Sequence, residues 1–139
     1  MKTTKDFKIV MVINDALPVG LIANTSAVLA LSLGKEVTDF IGEDLSDKDG
    51  DIHRGITAQP VPILKANEEK LRELKKQSSE YNNLFIVDVT DVAQKSKTYD
   101  DYEQKLQEKT IDELQFLGIA FAGPAKTVTS LTGNLSLLR

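Results

Sequence analysis

The chain has 139 residues and a formal net charge of −4 at pH 7, from 17 Lys plus Arg against 21 Asp plus Glu, with one His and no Cys or Trp. Those counts exclude a disulfide scaffold, a thiolate zinc site, a cysteine nucleophile and any site that needs two imidazoles from one chain; a Ser-His-Asp triad has only His53 to use. The length suits one domain over residues 1–139, burying roughly 68% of its unfolded surface, and the acidic balance disfavours non-specific nucleic-acid binding.

Residues 1–8 precede an apolar run, Ile9 to Ile13, too short for a signal-peptide core. A cytoplasmic location is expected, in keeping with the absence of Cys. Phe7 to Asn14 is β-branched and almost continuously apolar, the pattern of a central strand buried on both faces. Pro18 then opens a helix that Gly34 closes. Ala16 to Gly34 is uncharged over 19 residues, near the length of a membrane span, but Asn24, Thr25 and Ser26 in its middle point to a buried helix instead. A helix apolar nearly all round is expected to be buried nearly all round.

Glu43 to Asp51 reads as an acidic loop with His53 at its end. Thr57 to Leu64 is extended, and Pro60 and Pro62 make it an edge or irregular strand. Asn67 caps an amphipathic helix with Leu71, Leu74 and Tyr81 inward. Leu84 to Val89 is a buried strand, followed by a turn over Asp91 to Gln94 that Thr90 can cap. Thr98 caps a helix with Tyr99, Tyr102 and Leu106 inward, and Thr110 to Glu113 is a capping box. Phe116 to Phe121 is a strand that Ala122-Gly123-Pro124 ends. Pro124 starts a helix to about Leu131, and Leu135 to Leu138 forms a last strand. The alternation implies a three-layer α/β domain, its sheet mixed but mostly parallel, with helices on both faces.

Several residues could carry chemistry. Asn14 and Asp15 stand at a strand's carboxyl end, where α/β sheets bind ligands, and Asn24 could face the same crevice; the alternative is that the first two are helix caps. Asp88 is a carboxylate inside a strand, with Thr90 two residues on and pointing the same way; either residue could instead cap the next turn. His53 titrates near neutrality, and Asp51 could orient its ring. Lys126, at a strand-to-helix junction, could join backbone N–H groups in an anion site. No metal site is expected: setting Gly50 at the sixth position of a calcium loop puts Leu45 first and Ile56 twelfth, where acidic ligands belong. A weaker divalent site on Asp47, Asp49 and Asp51 is the alternative to a solvated loop. No cofactor motif is present.

The run Gly118 to Pro124, with Val128 and Leu131-Thr-Gly-Asn-Leu-Ser-Leu-Leu138, resembles the end of the type II peptidyl-tRNA hydrolases. The start is similar too, in its apolar strand, polar turn, Gly20 and small-residue helix, and Asp88 with Thr90 falls where those enzymes have an Asp and a Thr. Across most of its length the chain is still more similar to an uncharacterised bacterial family grouped with those hydrolases by fold. Asn14-Asp-x-Leu-Pro-x-Gly20, Asp49-Gly-x-x-His53-x-Gly55, Pro62-Ile-Leu64 and Thr132-Gly-x-Leu135 carry that likeness. The resemblance implies a type II peptidyl-tRNA hydrolase-like fold with an incomplete site. Leu21 stands where the enzymes carry Lys, and Ala27 takes the position of their His, allowing a one-residue gap.

The expected function is therefore binding of a small molecule or protein partner in a crevice near Asp15, Asn24, Asp88 and His53. The alternative is hydrolysis of a peptidyl- or aminoacyl-tRNA ester with Asp88 as base and Thr90 orienting water. Association into a homodimer is a third expectation; a tRNA substrate is disfavoured by charge, and no membrane association is expected.

Overall fold

A computed structural model describes residues 6–139; the reading of the extreme N-terminus falls partly on residues 1–5, outside the described ones. Strand β1, Phe7–Asn14, occupies the middle of the molecule as its composition demands. Its alternating side chains serve two separate cores. Val10 and Val12 enter one hydrophobic cluster, and Ile9, Met11 and Ile13 enter the other.

Three further strands complete the main sheet: β4 (Ile63–Ala66), β5 (Phe85–Thr90) and β6 (Phe116–Pro124), in the order β4-β1-β6-β5. Only β1 and β4 pair in parallel among the described main-sheet strands; β6 runs antiparallel to both β1 and β5. The expected parallel majority is thus wrong, although the sheet is mixed. β6 inserts between two strands that run together, and it turns both of its pairings antiparallel. It also runs beyond Phe121, pairing through Pro124 with Phe7.

The edge strand β4 follows Pro60 and Pro62, and Pro62 uses its remaining carbonyl to accept from the Met11 N–H at 3.0 Å. Its outer side is sealed by the last residues of the chain. The Lys65 N–H donates to the Ser136 carbonyl, the Leu138 N–H donates to the Ile63 carbonyl, and Leu137 bridges Leu64. The expected last strand is therefore a short antiparallel patch.

Helix α1 (Val19–Leu33) covers one sheet face. Gly118 lets it sit close: a Cβ there would lie 2.8 Å from Ile13 Cδ1 and 2.9 Å from Thr25 Cγ2. The helix buries Thr25, Leu29 and Leu33 only, so the expectation of burial all round fails. Among the described residues its main contacts are with strands of the sheet, and Val19 and Leu31 are 83% and 80% exposed. The other face is covered by α2 (Glu68–Ser78) and α5 (Ala125–Thr132), which puts helices on both faces as expected.

Local signals place the remaining elements. Asn67 accepts from the Lys70 N–H and starts α2, whose inner residues are Leu71, Leu74 and Ser78. Tyr81 follows the helix and is exposed, not inward. After β5 come α3 (Asp91–Lys95) and α4 (Tyr99–Gln107), the latter capped by Thr98. Tyr102 and Leu106 pack on the core, but Tyr99 is exposed. A single 3-10 turn, Ile111–Glu113, carries the capping box of Thr110 and Glu113.

The acidic segment is more ordered than a loop. Strands β2 (Leu45–Ser46) and β3 (Ile52–His53) pair antiparallel into a small arm. Gly50 turns it at a φ of 88°, a left-handed conformation that suits a residue without Cβ. At its base Gly55 passes Gly42 so closely that an added Cβ would stand 1.8 Å from the Gly42 carbonyl oxygen.

Candidate functional site

The residues singled out in the sequence do not converge. Asn14 ends β1, and its Oδ1 accepts from the Ala16 N–H at 3.0 Å, a turn-forming bond that accounts for its burial. Asp15 is exposed, and its N–H reaches the Ala66 carbonyl. Asn24 is exposed on α1. Asp88 lies beside Ile86 on the side of the sheet that α2 covers, and its Oδ2 pairs with Lys75 Nζ at 2.8 Å. Thr90 is fully buried, its hydroxyl without a hydrogen-bond partner. Thr90 precedes α3 but makes no side-chain capping bond.

His53 stands on the arm, away from β5. Its Nε2 meets Asp47 Oδ2 at 2.8 Å, so the ring's partner is Asp47 and not the expected Asp51. That hydrogen bond, with the N–H groups of Asp49 and Asp51 on the other carboxylate oxygen, holds the Asp47 carboxyl below its usual range. Asp44 also ties the arm together, accepting from Arg54 Nη1 at 2.9 Å and from the Gly55 N–H at 2.8 Å. Asp44 and Asp47 thus organise the arm, and no group of three or more metal-ligating side chains occurs among the described residues.

Lys126 is exposed on α5. Because β6 runs against β1, its end lies at the start of β1, at the opposite end of the sheet from Asn14 and Asp15. The Ala125 N–H at this helix start already donates to the Asp6 carbonyl.

Sequence reasoning passed over Asp91. It is 4% exposed, and its Oδ1 accepts from the Gln115 N–H at 3.0 Å. Burial pushes its carboxyl up, but the Gln115 N–H and Lys95 together carry it below the ordinary carboxylate value. A carboxylate at the end of an apolar strand was the only signal for it.

The structure does form a cleft elsewhere. Between α1 and the β1–β4 edge lies a cavity of about 370 Å³. Ile9, Met11 and Ile63 make its floor, Ala27, Ala30 and Leu33 of α1 one wall, and Val37, Phe40, Ile41 and Val61 the other. Ser26 and Thr57 are its polar side chains. The second wall comes from residues 35–42 and 57–62, which bridge to each other at Ile41 and Thr57. Their apolar residues beside Pro60 and Pro62 were the available sequence signal.

A second, larger groove of about 650 Å³ follows the β5 edge, with Asp88 and Tyr102 among its walls. Desolvation and the nearby Asp88 carboxylate raise the Tyr102 phenol. In this groove Asp88 is ion-paired with Lys75.

A family model described as a protein of unknown function (DUF2000) matches residues 7–139. No curated protein matches. Among solved structures, a protein of unknown function from Agrobacterium tumefaciens strain C58 is similar with a TM-score of 0.86 and 22% identity, over 96% of this chain and 98% of the other. At that identity the likeness shows a common fold alone.

Proposed function

The chain belongs to the DUF2000 family of proteins of unknown function, and from that premise we propose that it is a small-molecule binding domain that acts without the machinery of a hydrolase. On this reading its fold is that of the type II peptidyl-tRNA hydrolases, the enzyme's site is incomplete, and the ligand enters the cleft beside α1. One observation carries the reading: a cavity of about 370 Å³ with a nearly all-apolar lining, in the size and character range of small-molecule sites. The state of Asp88 supports it, since its Oδ2 is already engaged by Lys75 Nζ at 2.8 Å. The test is fluorescence titration with N-phenylnaphthylamine, an uncharged apolar reporter. Saturable one-site binding that Ala30→Trp abolishes supports the proposal, and equal binding by the folded variant refutes it.

Self-association is a second reading, favoured by Leu31, 80% exposed on the side of α1 opposite its buried residues. Light scattering of the wild type beside Leu31→Lys tests it: a dimer that the substitution dissociates supports it, and a monomeric wild type removes it.

A further inference from the structure

From the cleft's chemistry we infer that its ligand is uncharged, an aliphatic molecule carrying a single hydroxyl. The inference rests on the binding reading above and narrows it. Among the described residues lining the cleft none is charged. Lys35 and Glu36, next along the chain from Gly34 of the rim, are not among the lining residues. A carboxylate or phosphate drawn down onto the apolar floor would lose its water with no lining cation to replace it, which disfavours anionic ligands there.

The two polar side chains indicate what the ligand's polar end must do. Ser26 Oγ donates its proton to the Ile22 carbonyl at 2.9 Å, so toward the cleft it offers lone pairs and accepts. A ligand hydroxyl can donate there, whereas a carbonyl or ether cannot. Thr57 is exposed at the mouth and can exchange hydrogen bonds with the same hydroxyl or with solvent. Methylenes then fill the space over Met11 and Ile63, each buried CH2 contributing roughly 0.8 kcal/mol.

The experiment is displacement of N-phenylnaphthylamine bound to the wild type by n-decanol and by decanoate at neutral pH, with Ala30→Trp and Ala27→Phe, checked for folding by circular dichroism, as controls for the site. The expected result is displacement by n-decanol, at least tenfold weaker displacement by decanoate, and no reporter binding in the folded filled variants. Decanoate equal to or better than n-decanol overturns the uncharged-ligand inference and leaves the binding reading standing. Failure of both, with the reporter bound, likewise overturns the inference alone. Failure of the reporter itself to bind removes the reading beneath it.

Discussion

Asp91 and Gln115 are joined twice: the Asp91 carboxylate accepts from the Gln115 N–H at 3.0 Å, and the Asp91 N–H donates to the Gln115 carbonyl at 2.9 Å. The pair locks the end of β5 to the start of β6, beside the irregular register between Val89 and Thr90. A buried N–H that loses its acceptor costs about 1–3 kcal/mol. Asp91→Ala is expected to lower stability in urea by that amount, and Asp91→Asn, which keeps an acceptor, by less.

The same carboxyl sets part of the acid response. Its value in the folded protein is lowered, so its stabilisation is complete above the unfolded carboxylate value and lost as pH falls through the folded one. Melting followed from neutral pH into the acid range should show a steeper loss for the wild type than for Asp91→Asn. Parallel profiles would contradict this role.

His53 and Asp47 hold the arm by a contact open to solvent, with the His53 side chain 66% exposed. Its effect is local. Amide exchange at Asp49 and Asp51, whose N–H groups bond Asp47, should quicken in Asp47→Ala while the global melting temperature stays unchanged. In His53→Ala the two N–H bonds remain, and a smaller acceleration is expected.

Gly118 tests the packing of α1. A Cβ would meet Ile13 Cδ1 at 2.8 Å and Thr25 Cγ2 at 2.9 Å, both on buried residues that would have to shift. Gly118→Val should destabilise by about 1–3 kcal/mol or more, read as a shift in the urea midpoint.

Asp88 separates binding from hydrolysis. If it serves as an ion-pair partner for Lys75, Asp88→Asn costs about 1 kcal/mol or less of stability and leaves any background release from peptidyl-tRNA unchanged. Release by the wild type that the substitution abolishes would establish the hydrolase alternative.

How much of this was legible depended on the range of the interaction. Asn67, Thr98 and Thr110 cap their own neighbours, and such bonds are written within a few residues. Strand β1 was legible because its apolar run suits only a buried strand. The direction of β6 is a tertiary fact, and it sets Lys126 at the opposite end of the sheet from Asn14. The outer side of α1 misled because Val19 and Leu31 look like core residues in a sequence. The candidate crevice failed for the same reason: Asp88, His53 and Asn24 stand on different layers, whereas the cleft joins α1 to residues of the 35–42 and 57–63 segments that no local pattern connects.

The most direct measurement is amide chemical-shift mapping by NMR during titration with n-decanol. The account predicts shifts confined to the cleft, centred on Met11, Ala30, Phe40 and Ile63, with Asp88 and Tyr102 unmoved. Shifts centred instead on the β5 groove around Asp88 and Tyr102, or no saturable shifts at all, would contradict it.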